Sequence, residues 1–219
     1  MLAVVTATFP KDQNVKGVPL MTNYVFAGAA RYSGRGYNHG GLFRLAVGGE
    51  TWESLGDGLP ERAEVRAVAI NPEDPAIIYA GTQYGPYRSQ DAGDCWEALP
   101  FPDGDRVVWS FLFEPGNSKV LYAGTAPSAV YRTEDGGKRW DRLPIVEPRG
   151  VVEMGFPTRV VRLVGTPLQP GTLYAAVEVG GVLRSDDFGA SWEDCTGDLL
   201  RLSAQDHLKS AIGSDLEFE

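Results

Sequence analysis

The chain has 219 residues, 43% of them hydrophobic, and a formal net charge of −9 at pH 7. That length and apolar content allow one domain with a real core, while the acidic balance argues against nucleic acid or an anionic membrane surface as a partner. No run approaches the roughly 20 apolar residues of a membrane span, the apolar start Met1 to Phe9 lacks the basic lead and cleavage site of a signal peptide, and the expected location is therefore cytoplasmic.

In chain order, a first unit opens with a strand over Met1 to Phe9 and a polar turn from Pro10 to Leu20. The strand Phe26-Ala-Gly-Ala29 follows, then a long loop from Arg31 to Gly41, and Phe43 and Arg44 lead into an octad, Leu45 to Trp52. A second unit runs from an apolar strand at Val65 to Ile70, through Pro72, to Tyr79-Ala-Gly-Thr82 and the octad Ser89 to Trp96. The third repeats this with Val107 to Phe113, Pro115, Tyr122-Ala-Gly-Thr125 and Thr133 to Trp140. The fourth uses Val160 to Val164, Pro167, Tyr174-Ala-Ala-Val177 and Ser185 to Trp192. No segment carries a sustained helical period, and Ser203 to Glu219, with Asp206 and His207, contains no convincing strand.

The tryptophans Trp52, Trp96, Trp140 and Trp192 recur at intervals of 44, 44 and 52 residues, the period of a radial array of small sheets. Three octads fit S/T-x-D-x-G-x-x-W: Ser89, Asp91, Gly93, Trp96; Thr133, Asp135, Gly137, Trp140; and Ser185, Asp187, Gly189, Trp192. Glycine gives the left-handed turn, and the hydroxyl and carboxylate accept turn N–H groups that would otherwise be unpaired. The first octad has Leu45 and Val47 at those acceptor positions, so a looser hairpin is expected there. Each octad follows an arginine (Arg44, Arg88, Arg132, Arg184), read as a strand residue covering neighbouring aromatics.

These octads resemble the Asp box, or bacterial neuraminidase repeat, of sialidases, xyloglucanase-like glycosidases, sortilin-type receptors and a photosystem assembly-factor family. The resemblance covers about residues 24 to 198 and implies an all-β propeller of four-stranded antiparallel blades. The expected organisation is a single array over 1–219, with blades at approximately 1–57, 61–100, 105–144 and 158–198 and a loop or tail at 199–219. With no spare strand to close a ring, it is expected to be an incomplete part of a six- to eight-bladed propeller, with self-association through its open blade edges. A closed four-bladed ring is the alternative. The resemblance further implies that the box is a structural turn away from the ligand, which makes Asp91, Asp135 and Asp187 turn locks rather than acids.

Loop length points to a ligand face. The strand-B aromatic lies 26 residues before the tryptophan in the first unit, against 17, 18 and 18 in the others. The spans from tryptophan to the next proline are 20, 19 and 27, the last containing an insertion from Ile145 to Thr158. Both insertions emerge opposite the octads, where long loops on a rigid scaffold are suited to binding. The candidate ligand-binding residues are Arg35, Tyr37, Asn38, His39, Tyr84, Trp109, Arg149, Glu153, Arg159 and His207. With His39 and His207 the only histidines, and Cys95 and Cys195 a whole blade apart and outside any metal-ligand spacing, no metal, cofactor or disulfide is expected.

The expected function is a non-catalytic scaffold binding a glycan or a protein partner. The alternative is a sialidase-like or xyloglucanase-like glycoside hydrolase, or a fragment of one. Resemblance to sialidases implies an arginine triad with an aspartate acid and a tyrosine nucleophile, but the early Arg-Ile-Pro element is missing here. For a xyloglucanase-like pair of carboxylates, Glu64, Asp105 and Glu153 are the candidates.

Overall fold

A computed structural model describes residues 2–15, 18–30, 40–104, 106–146 and 155–203. Sheet 1 holds β1 (Leu2–Val15), β2 (Val18–Ala29), β3 (Gly41–Ala46) and β4 (Glu53–Ser54), and sheet 2 holds β5 (Ala67–Ile70), β6 (Ile78–Thr82), β7 (Gly85–Ser89) and β8 (Glu97–Ala98). Sheet 3 comprises β9 (Val107–Glu114), β10 (Asn117–Ala126), β11 (Ala129–Thr133) and β12 (Asp141–Leu143). Sheet 4 comprises β13 (Val160–Gly165), β14 (Leu173–Val177), β15 (Gly181–Ser185) and β16 (Glu193–Asp194). Every sheet is four-stranded, antiparallel and in plain sequence order, which is the form of a propeller blade.

Two stretches differ from expectation. Pro10 to Leu20 is not a polar turn: β1 and β2 pair through most of it, with a register shift between Lys11 and Asn14. Pro10 is tolerated because β1 is the first strand of its sheet, so its missing N–H leaves no ladder partner on the outer side. A helix, α1 (Thr196–Ser203), begins where the reading placed a strand end and tail. Eight residues give too little period to stand out in sequence, and Asp198 in its first turn suits the helix N-terminus.

The three well-formed octads are near copies. Gly93, Gly137 and Gly189 N–H donate to the Ser89, Thr133 and Ser185 hydroxyls at 2.8, 2.9 and 2.8 Å. Each hydroxyl in turn donates to its aspartate, at 2.7, 2.9 and 2.8 Å. The aspartates accept the N–H of Cys95, Arg139 and Ser191. Trp96, Trp140 and Trp192 fold back so that Nε1–H donates to the Gly93, Gly137 and Gly189 carbonyls at 2.9, 3.1 and 3.0 Å. Those glycines have φ of +96°, +91° and +87°, where a side chain would be strained. In the first octad, which lacks those acceptors, Gly49 instead donates to the Ala46 carbonyl, and Trp52 is exposed.

These bonds favour ionised aspartates. The Cys95 N–H, then the Ser89 hydroxyl, hold the Asp91 carboxyl below its ordinary value; the Arg139 N–H does the same for Asp135, and the Ser191 hydroxyl and N–H for Asp187. A depressed folded-state pKa contributes stability above the unfolded value of about 3.9 that is lost as pH falls through the lower folded value. Urea midpoints should therefore fall with acidification below about pH 4. The Asp91→Asn, Asp135→Asn, Asp187→Asn triple variant should show a shallower fall, and parallel profiles would contradict this role.

One row of side chains explains how the sheets join. Register aligns Val5, Phe26, Arg44 and Glu53 across sheet 1; Ala69, Tyr79, Arg88 and Glu97 across sheet 2; and Leu112, Tyr122, Arg132 and Asp141 across sheet 3. Each row faces the following sheet. Arg44 and Arg88 Nη1 donate to the Ala92 and Gly136 carbonyls of the next octad at 3.0 and 2.8 Å, and Tyr122 Oη lies 3.1 Å from the Phe188 carbonyl. Burial pushes the Tyr122 hydroxyl up to about 12, so it stays a donor at neutral pH. The expected role of the arginines over aromatics also holds, with Arg44 5.2 Å from the Tyr24 ring centre and Arg132 5.8 Å from that of Tyr122.

Apolar contacts complete each joint. Leu55, Leu99 and Leu143, three residues after their own tryptophans, share core clusters with Trp96, Trp140 and Trp192 of the following sheets. Near the axis, β5 packs beside β1, β9 beside β5 and β13 beside β9. A comparable joint between β13 and β1 is absent among the described residues, so the four sheets form an arc.

Candidate functional site

The first strands of all four sheets line a cavity of about 310 Å³ on the axis, with Val4, Arg66, Trp109, Phe111 and Arg162 in its wall. At the end opposite the octads, the connections into the first strands meet the turns between second and third strands. Gln83 ties them in sheet 2, accepting from Glu64 N–H (2.7 Å) and donating to the Arg62 carbonyl (3.1 Å). Arg106 Nη1 donates to the Pro127 carbonyl at 3.1 Å, and Ser128 and Thr158 hydroxyls bond at 3.0 Å. These bonds tie the described turns of this face to one another.

Trp109 is its centre. It projects from β9 between two guanidinium groups, with the Arg66 carbon 4.9 Å and the Arg159 carbon 4.2 Å from its ring centre. Arg159 also stacks on exposed Phe156, 5.0 Å away. Glu64 pairs with Arg66 and Glu178 with Arg159, which fixes the fork of each arginine. Trp109 Nε1 and Arg66 Nε and Nη1 are buried and lack a protein partner among the described residues. All three are donors, so they suit a ligand rich in oxygen acceptors. An indole stacked by arginines and flanked by such donors is a cationic, donor-rich surface suited to an oxygen-rich ligand.

Of the sequence candidates, Trp109 and Arg159 are brought together, 4.2 Å apart. Tyr84 lies on the same face in the β6–β7 turn, beside Gln83 and exposed. Arg35, Tyr37, Asn38, His39, Arg149, Glu153 and His207 lie outside the described residues, as does Asp105. Sequence reasoning left Arg66 among generic arginines and passed over Phe156 and Glu178; their grouping depends on three different sheets and has no local signature. Cys95 is exposed and Cys195 half-buried, both free thiols. Among the described residues no group of histidine, cysteine and carboxylate side chains is placed to hold a metal ion.

No protein-family model matches the chain. It is 32% identical over 138 residues to the xyloglucanase Xgh74A of Acetivibrio thermocellus, an alignment that takes in 49% of this chain and 16% of that protein. An ancestral GH74 enzyme superposes with a TM-score of 0.62 at 20% identity, over 78% of this chain and 22% of that one. The GH74 xyloglucanase of Xanthomonas campestris gives 0.56 at 18% identity, over 78% and 28%. The fold is a β-propeller arc. The chain thus spans about a sixth of the curated relative's length, and the likeness reaches glycoside hydrolases of xyloglucanase type. The exo-sialidase alternative gains no support from these relatives.

Proposed function

We propose that this chain is a xyloglucanase-like Asp-box propeller whose axial face, opposite the octads, binds a xyloglucan-type polysaccharide. The observation that carries this reading is the Arg66–Trp109–Arg159 stack with its unpaired donors, set at the mouth of the axial cavity. Similarity to the Acetivibrio xyloglucanase supports the ligand class. Sugar hydroxyls can hydrogen-bond along the edge of this arginine–indole stack, where the cationic groups and the ring together offer a donor-rich, partly apolar surface.

Binding and hydrolysis are separate parts of this reading. A glycosidase of the common type needs a protonated carboxyl group as acid and a second carboxylate as base or nucleophile. Glu64 and Glu178, the carboxylates beside Trp109, are both engaged by arginines. The described face is therefore assigned to holding the polymer, and candidate Tyr84 is assigned to extending the same surface.

Calorimetric titration with a xyloglucan oligosaccharide tests the reading. Saturable binding is expected, weakened about tenfold or more by Trp109→Ala, since losing one central anchor is worth about 1–3 kcal/mol. An absence of binding by the folded wild-type chain, or equal affinity of the variant, would overturn it. Release of reducing ends from the polymer, measured in parallel, reads the hydrolytic part independently.

A further inference from the structure

The row that makes each inter-sheet joint occurs a fourth time. In sheet 4, register aligns Val164, Tyr174, Arg184 and Glu193, the same order of apolar residue, aromatic, arginine and acid. Its counterparts are covered: Phe26, Tyr79 and Tyr122 are at most 3% exposed, whereas Tyr174 is 38% and Val164 47% exposed. Arg184 turns back onto Asp186 and Glu193 within its own sheet. Arg44 and Arg88 likewise pair with Glu53 and Glu97 of their own sheets but also reach the next octad.

Sheet 1 presents the opposite half of the same joint. Trp96, Trp140 and Trp192 are at most 7% exposed beneath the preceding sheet, but Trp52 is 46% and Val4 54% exposed. The carbonyls that receive the arginine or tyrosine belong to Ala92, Gly136 and Phe188, each with positive φ at the fourth octad position; Gly48, at φ +85°, holds that place in sheet 1. The donor half and the acceptor half therefore both stand uncovered, on one chain.

We propose that the uncovered face of sheet 4 docks on the uncovered face of sheet 1 in a second copy of this chain, repeating the internal joint head to tail. Tyr174 and Arg184 of one copy meet the Gly48 carbonyl of the other, and Trp52 becomes buried as its three counterparts are. Two features adapt the joint: Cys195 stands where Leu55, Leu99 and Leu143 stand, and Ala176 replaces the strand glycine of the earlier sheets. The contact is heterologous, so it closes a ring when the arc is a whole fraction of a turn. This inference is independent of the polysaccharide reading.

Light scattering on the eluting 219-residue protein over a range of concentrations tests it. Wild type is expected to reach at least twice the 23.7 kDa chain mass. Trp52→Arg and Tyr174→Arg, both at positions exposed within one copy, should each return the mass to 23.7 kDa with unchanged circular dichroism. A wild type that stays at the single-chain mass at every concentration overturns the proposal. So does an oligomer that survives both substitutions.

Discussion

Trp140→Ala is expected to lower the free energy of unfolding by about 3–5 kcal/mol, whereas Trp52→Ala in dilute protein changes it by less than about 1 kcal/mol. The two residues end the same octad pattern, yet their surroundings differ. Trp140 is buried against Leu99 of the preceding sheet, meets Phe101 edge-on at 5.3 Å and donates to the Gly137 carbonyl. Its removal opens a cavity at an inter-sheet joint and leaves a turn carbonyl without its partner. Trp52 is half-exposed, with no preceding sheet over it among the described residues, and loses little that water does not replace. Urea denaturation of both variants would show the contrast; equal losses would mean that the joints do not carry the stability assigned to them.

Gly124→Val is the second large effect, a loss of about 3 kcal/mol. A Cβ at Gly124 would stand 2.4 Å from Ser110 Oγ and 2.7 Å from Val160 Cγ1, where β10 passes close under β13. Ser110 Oγ–H donates to the Val160 carbonyl at 3.0 Å, so the intruding side chain would also part a buried hydrogen bond across the joint. Removing a glycine from a strand gains only about 0.5–1 kcal/mol of unfolded-state entropy, which the clash exceeds. Ala176 occupies the equivalent register position in sheet 4, and Ala176→Val is expected to cost far less because no further sheet among the described residues covers it. Similar losses at both positions would show that the penalty comes from the strand itself rather than the joint.

The octads were legible because their chemistry is local. A hydroxyl, a carboxylate and a glycine within eight residues satisfy one another's turn, so the same letters give the same bend wherever they occur. The Val-rich first strands were legible for a related reason, since burial between neighbouring sheets leaves a nearly continuous apolar run. Pro10 and the polar residues after it misled because edge position, which sequence does not display, removes the penalty for proline. The arginine before each octad was correctly placed on a strand, but the reach of Arg44 and Arg88 to carbonyls 48 residues away was not visible. The candidate site shows the same limit: Trp109 stood out by its type, while Arg66 and Arg159 become its neighbours only through the arc.

The same geometry separates the two ends of the molecule by role. The three well-formed octads commit their indole N–H groups to their own glycine carbonyls. The opposite face keeps buried donors unpaired and an aromatic ring between two cations. On the proposed reading, stability and recognition fall at opposite ends of the same strands.

The five tryptophans offer the most direct measurement. In a ¹⁵N-correlated spectrum their indole N–H groups give five resonances, assignable by substitution one at a time. Titration with the same oligosaccharide should move the Trp109 resonance and leave those of Trp96, Trp140 and Trp192 in place, because their N–H groups are already committed to glycine carbonyls. A ligand that shifted the three octad indoles and left Trp109 unmoved would contradict the assignment of the axial face.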